Sequence, residues 1–111
     1  MENCIFCKIA NGEIPSNKVY EDEFALAFRD IEPQAPIHIL VVPKVHVENV
    51  MLCDSMLMAK LISAANIIVR DEGLAETGFR LVINTGKDGN QSVPHLHIHI
   101  LGGRLMQWPP G

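Results

Sequence analysis

Three histidines alternate with three aliphatic residues near the end of the chain: His95, Leu96, His97, Ile98, His99 and Ile100. Successive side chains of an extended segment point to opposite faces, so this alternation predicts a strand with three imidazoles on one face. Imidazole acts as a nucleophile, proton carrier or metal ligand near neutral pH. The run therefore predicts a chemical site. The alternative is a half-exposed strand whose polar face happens to consist of histidine.

Length and charge limit the classes of protein to which this chain belongs. Its 111 residues suffice for one domain with a modest core, spanning residues 1–111. Charged residues make up 20% and the formal net charge is −4, which disfavours nucleic acid as the main ligand. The chain has neither a bilayer-spanning apolar run nor a signal-peptide pattern at its start, so we expect a cytoplasmic protein without a membrane partner.

The remaining periodicities predict two helices and five strands. A short helix is expected over residues 4–10, and a long one over residues 54–70, where Asp54 is the predicted N-cap. Strands are expected over residues 18–20, 24–28, 37–42, 79–84 and 95–101. The order of strands, helix and strands indicates an α+β fold, a five-stranded antiparallel sheet with the long helix on one side.

Several motifs together resemble the histidine triad family of nucleotide hydrolases and transferases. They are the histidine run, the loop that ends Gly89-Asn90-Gln91-Ser92, Asp30 before Ile31, and the segment Ala35-Pro36-Ile37-His38 followed by Val42-Pro43-Lys44. The tail from Leu101 to Gly111 is most similar to the histidine triad nucleotide-binding (Hint) branch. This branch is implied to hydrolyse purine nucleoside phosphoramidates at the P–N bond of AMP or GMP, through a covalent nucleotidyl-histidine intermediate.

The resemblance also implies roles for the residues that act on the phosphate. His97 takes the place of the nucleophile, with its other ring nitrogen bonded to a backbone carbonyl, which we expect to be that of His95. His99 would contact the phosphate oxygens, and His38 would support the catalytic histidine. A core histidine bonded to a backbone carbonyl is an equal reading of His38. The phosphate would be cradled by Ser92, which would also help to protonate the leaving amine, and by the backbone amides around Asn90 and Gln91.

Other residues match positions that bind the nucleoside. Asp30 matches the carboxylate that accepts both ribose hydroxyls, and Asn84 matches a polar residue near ribose and phosphate. Ile31 and Phe6 would sandwich the base, although residues of these types are more often part of a core. Trp108 is expected to anchor the tail. The loop of residues 85–92 has a plain hairpin connection as its alternative reading.

Cys4 and Cys7 form a Cys-x-x-Cys pair. The pair resembles that of bacterial relatives and of the galactose-1-phosphate uridylyltransferases, in which it binds zinc. The resemblance implies that His46 and His95 complete the set. Two thiolates and two imidazoles form a closed tetrahedral site, which suits structural rather than catalytic zinc. A redox pair is the alternative, but no thioredoxin-like pattern surrounds it.

The resemblance further implies a homodimer in which two five-stranded sheets join into a ten-stranded sheet. Two departures concern the site: Pro94 stands where an aromatic residue is common, and Asn90 replaces a glycine of the phosphate loop. Three other functions remain open. They are a nucleotide-binding interaction protein with residual hydrolysis, a zinc-handling protein that binds more than one metal per chain, and a dinucleoside polyphosphate hydrolase of the neighbouring Fhit branch. That branch usually has glutamine where this chain has Leu101.

Overall fold

In this computed structural model of the protein, the residues whose structure is described are 3–111. Within this range two α-helices and five strands occur in the predicted order. The helices are α1 (Ile5–Ala10) and α2 (Ser55–Asp71), and the strands are β1 (Lys18–Glu21), β2 (Ala25–Arg29), β3 (Ile37–Pro43), β4 (Phe79–Val82) and β5 (Ile98–Gly102). A short 3₁₀ helix at Val50–Leu52 precedes α2. None of the helices in this range is long and apolar enough to cross a membrane.

The five strands form one sheet in the order β1-β2-β3-β5-β4, and each strand is antiparallel to its neighbours. The central strand β3 places Leu40 opposite His99 and Ile39 opposite Ile100. The long helix begins at Asp54, whose side chain accepts a hydrogen bond from the Leu57 amide at 3.0 Å. The α+β fold and the N-cap predicted from the sequence are confirmed.

The sheet is covered on both faces. Helix α2 packs on one face and buries Leu61, Ala65 and Ile68 against a cluster that includes Leu96, Ile98 and Ile100. On the other face, α1 inserts Phe6 into a smaller cluster with Leu26, Phe28, Leu40 and Val42. Because strand side chains alternate, the triad histidines lie on the α1 face, opposite the long helix.

Two predicted strands are shorter than expected. The strand predicted over residues 95–101 begins only at Ile98, because its partner β3 ends at Pro43, which has no amide hydrogen to continue the ladder. The segment before Ile98 is hydrogen-bonded to a different part of the chain, since the Leu96 amide donates to the Val47 carbonyl at 2.7 Å. The strand predicted to reach Asn84 ends at Val82.

Candidate functional site

The hydrogen bond made by His97 defines its tautomer. Its Nδ1 lies 2.8 Å from the His95 carbonyl oxygen. A carbonyl only accepts, so neutral His97 carries its proton on Nδ1 and keeps a lone pair on Nε2. The ring is 3% exposed and packs edge-on against Phe6, with ring centres 5.1 Å apart. The hydrogen bond expected from the sequence is present, and a rigid pocket holds the basic nitrogen.

A second chain of hydrogen bonds defines the tautomers of His38 and His99. The Gln34 amide donates to His38 Nδ1 at 3.0 Å, so the proton of neutral His38 is on Nε2. That proton is donated to His99 Nδ1 at 2.9 Å, which leaves the His99 proton on Nε2. The backbone partner of His38 is therefore an amide, and the expectation of a carbonyl was wrong. No sequence pattern pointed to Gln34, because the group involved is backbone.

His99 Nε2 is buried and has no hydrogen-bond partner among residues 3–111. A buried N–H without an acceptor is unfavourable, and such atoms often mark the place of a ligand. The rings of His97 and His99 are centred 5.0 Å apart. The two histidines therefore present one lone pair and one donor side by side, which suits an electrophile that carries anionic oxygens.

Burial keeps the supporting histidines neutral. Burial, with a smaller contribution from His97 and His38, lowers the pKa of His99 to about 4, and Asp30 opposes the shift. Burial also lowers the pKa of His38, again opposed by Asp30. The Asp30 Oδ2 atom lies 3.5 Å from His38 Nε2, but a neutral imidazole makes no ion pair with it. Near neutral pH the chain of donors therefore runs from Gln34 to His99 without net charge.

The loop that precedes the triad is internally hydrogen-bonded. The Asn90 amide donates to the Lys87 carbonyl and the Gln91 amide to the Gly86 carbonyl, each at 3.0 Å. These two amides are therefore not free to cradle a phosphate in this conformation, whereas the prediction for the other amides around them stays a prediction. Asn90 adopts a φ of 59°, which is the left-handed region that glycine occupies freely and that asparagine tolerates better than most other residues.

The nucleoside residues predicted from the sequence lie in different environments. Phe6 is 7% exposed and belongs to the core on the α1 face, whereas Ile31 is 95% exposed and belongs to no core. Asp30 is half-buried, and its Oδ1 accepts from the Glu32 amide at 2.8 Å. Asn84 is half-buried and Ser92 is exposed. Among the described residues, neither of these two hydrogen-bonds to a triad histidine.

The four predicted metal ligands converge near the start of α1, where Cys4 is the N-cap and Cys7 lies in the first turn. One ligand atom from each of Cys4, Cys7, His46 and His95 lies within 4.8 Å of the other three. His95 Nε2 lies 2.9 Å from the Pro43 carbonyl, so its proton is on Nε2 and its Nδ1 lone pair points at the cysteines. That Nδ1 is 3.3 Å from Cys4 Sγ and 3.5 Å from Cys7 Sγ.

These distances fit a tetrahedral zinc site. Bonds of about 2.3 Å to sulfur and about 2.0 Å to nitrogen put a sulfur and a nitrogen ligand about 3.5 Å apart at the tetrahedral angle. The third sulfur–nitrogen contact, from Cys7 Sγ to His46 Nδ1, is 3.3 Å. Burial raises the pKa of the Cys7 thiol, so a bound cation is what would keep it as a thiolate near neutral pH. The donor set is one that zinc prefers.

Known proteins are similar to this chain over most of its length. The HIT domain model matches residues 11–106. The 14 kDa zinc-binding protein of Zea mays is 52% identical over 96% of this chain and 87% of its own length. Adenylylsulfatase HINT1 of Arabidopsis thaliana is 50% identical over 96% of this chain and 76% of its own length.

A solved structure gives the same result. The HIT family hydrolase from Legionella pneumophila Philadelphia 1 superposes with a TM-score of 0.95 at 51% identity, covering 98% of this chain and 100% of that one. The resemblance found in the sequence is confirmed, and this chain belongs to the HIT (histidine triad) domain family of nucleotide-binding hydrolases.

Proposed function

We propose that this protein hydrolyses purine nucleoside phosphoramidates at the α-phosphorus, through a nucleotidyl intermediate on His97. The observation that carries the proposal is the pairing of two ring nitrogens, the His97 Nε2 lone pair and the unpartnered His99 Nε2–H, on rings centred 5.0 Å apart. A phosphate seated between them would meet a nucleophile at phosphorus and a donor at a phosphoryl oxygen. No net charge on either ring is needed.

The reaction proceeds in two displacements at the same phosphorus. In the first, His97 Nε2 forms a bond to phosphorus as the P–N bond breaks, and the amine leaves with the electron pair and takes up a proton at the side of Ser92. In the second, water attacks phosphorus, the bond to His97 breaks and a proton is released. Positive charge develops on His97 in the intermediate, and the His95 carbonyl stabilises it through the 2.8 Å hydrogen bond from Nδ1.

The remaining roles concern binding. Asp30 is half-buried, with Oδ2 3.5 Å from His38 Nε2, and its carboxylate is the proposed acceptor of the ribose hydroxyls. Ile31, at 95% exposure, is free to cover one face of a base, whereas Phe6 acts mainly by packing against His97. Asn84 and Ser92 are proposed contacts to ribose and phosphate. Zinc would fix the ring of His95, and with it the carbonyl that orients His97.

The relative from Arabidopsis thaliana favours a second substrate class. It is named an adenylylsulfatase, and sulfate attached to the α-phosphate of AMP would leave from the same phosphorus as an amine does. The intermediate on His97 would be identical for both substrates. The two classes differ in the leaving group, because sulfate departs as an anion without taking up a proton.

The test is to trap the intermediate and to map it. The wild-type protein is mixed with AMP-lysine, adenylyl sulfate or diadenosine tetraphosphate, quenched rapidly in alkali, and analysed by intact-mass and peptide mass spectrometry. We expect turnover of AMP-lysine and one adenylyl group on the peptide that contains His97. Binding of AMP with neither turnover nor adduct would instead indicate a nucleotide-binding interaction protein. The highest kcat/KM on diadenosine tetraphosphate would indicate a polyphosphate hydrolase.

We also propose a homodimer joined at the edge strand β4. This strand pairs only with β5 in the sheet, and an unpaired edge invites a partner. Ile67 of α2 and Phe79 of β4 are each 40% exposed, and Leu105 and Trp108 of the tail are 92% and 80% exposed. Within its own subunit Trp108 lies beside Arg80, whose guanidinium carbon is 5.9 Å from the centre of the indole ring, and most of the indole stays exposed. A second copy would cover these apolar side chains and complete a ten-stranded sheet.

Light scattering checks the dimer. The expected mass is twice the 12.3 kDa of one chain, and Phe79→Glu is expected to shift it toward the monomer by placing a charge at the interface. Phe24→Glu is the matched control, because Phe24 is 36% exposed beside β2, toward the opposite edge of the sheet. A monomeric wild-type protein, or equal effects of the two substitutions, would contradict the proposed interface.

A further inference from the structure

The side chain of Gln91 makes three hydrogen bonds within the protein, which use both of its N–H groups. Its Oε1 accepts from the Gly86 amide at 3.1 Å. Its Nε2 donates to the Glu48 carbonyl at 2.8 Å and to the Val93 carbonyl at 3.0 Å. Two carbonyls on one side and an amide on the other determine which end of the side chain is oxygen. Both N–H groups of Gln91 are therefore directed at backbone carbonyls of the protein in this structure.

These contacts connect the loop to the nucleophile. The Val93 carbonyl, which accepts from Gln91, also accepts from the His95 amide at 2.8 Å. The His95 carbonyl in turn accepts from His97 Nδ1. A continuous path of hydrogen bonds and backbone thus runs from the Gln91 amide to the imidazole of His97. We refer to the three hydrogen bonds of the Gln91 side chain as the clamp. Ser92 lies between Gln91 and Val93, which the clamp joins.

The same contacts connect the loop to the segment of the metal ligand His46. The Glu48 carbonyl accepts from Gln91, and the Val47 carbonyl accepts from the Leu96 amide at 2.7 Å. The oxygen of the Gln91 side chain therefore binds Gly86, which belongs to the loop, and its nitrogen binds Glu48, which lies outside the loop. Without the side-chain amide, the connection between Glu48 and the loop is lost.

We infer that Gln91 is a positioning residue, which fixes Ser92 and the backbone before His97 for attack on the α-phosphorus. This inference rests on the proposed function. Nucleoside binding uses Asp30 and Ile31, which lie outside the clamp, so loss of the clamp acts on the reacting geometry more than on binding. A displacement of about 1 Å at a reacting centre costs about 100-fold in rate.

Two substitutions test the inference. Gln91→Glu retains the shape and the acceptor for Gly86, but a carboxylate cannot donate to the two carbonyls and is repelled by them. Gln91→Met removes every hydrogen bond without adding charge. We expect both to lower kcat on AMP-lysine about 10-fold to 100-fold, with KM within about threefold of the wild type.

The pH profile separates positioning from a general loss of structure. Protonation of the introduced carboxylate restores one donor, so the ratio of Gln91→Glu to wild-type kcat is expected to rise as the pH falls from about 8 to about 5. The ratio for Gln91→Met is expected to stay flat. Equal kcat for all three proteins, a change confined to KM, or a flat ratio for Gln91→Glu would overturn the inference. A wild-type protein that neither turns over AMP-lysine nor forms the adduct would overturn the proposed function instead.

Discussion

Replacement of His97 by alanine is expected to abolish the adenylyl adduct and to lower kcat on AMP-lysine by at least about 10⁴-fold. The imidazole supplies the only protein atom in the proposed mechanism that bonds to phosphorus. His99 cannot replace it, because its Nε2 carries a proton and its Nδ1 accepts the hydrogen bond from His38 Nε2. The measurement is steady-state turnover, together with intact-mass spectrometry of samples quenched before one turnover is complete.

Binding of AMP serves as the control for this variant. Asp30 and Ile31 are unchanged by the substitution, so the dissociation constant of AMP is expected to stay within about tenfold of the wild-type value. His97→Gly offers a second readout, because added imidazole can enter the space left by the ring and act as the nucleophile. Turnover by His97→Ala within tenfold of the wild type would contradict the assignment of the nucleophile.

Replacement of Cys7 by serine is expected to remove zinc and to lower the free energy of unfolding by about 4 kcal/mol or more. The metal would join α1 to the segments of His46 and His95, and a six-residue helix depends on such tertiary contacts because it is too short to be stable alone. A loss of this size lowers the melting temperature of a chain of this length by more than about 10 °C. Calorimetry and metal analysis of the purified protein measure both effects.

The chain provides a matched control for this substitution. Cys53 is half-buried but belongs to no metal cluster among the described residues, so Cys53→Ser is expected to keep zinc and nearly all of the stability. The expected content is about one zinc per wild-type chain. Two metals per chain would favour a zinc-handling protein instead, with Asp30, His38 and His99 as the second cluster, because these also converge within 4.8 Å.

Loss of zinc is also expected to affect the orientation of the nucleophile, His97. The His95 ring has Nε2–H bonded to the Pro43 carbonyl and Nδ1 directed at the cysteines, so the metal would fix this residue from the side opposite Pro43. Its carbonyl is the acceptor that sets the tautomer of His97. A structural metal thereby influences the reaction through the backbone of one residue.

Local patterns in the sequence determined the elements and their faces. The alternation around the triad correctly placed Leu96, Ile98 and Ile100 in the core beside α2 and the histidines on the other face. The side chain of Asp54 determined the start of α2, because an N-cap is satisfied within its own turn. The family was readable from its motifs and their order along the chain, and the resemblance in turn implied the composition of the metal site.

The tertiary structure decided which hydrogen bonds those side chains make. Pro43 determined where β5 begins, and its carbonyl determined which nitrogen of His95 faces the metal site, 52 residues away in sequence. The Gln34 amide set the tautomers of His38 and His99, and the Glu48 carbonyl accepts from the side chain of Gln91. Periodicity reports only the side on which a residue lies. The donor or acceptor it meets there comes from distant segments, and only the packed chain brings these together.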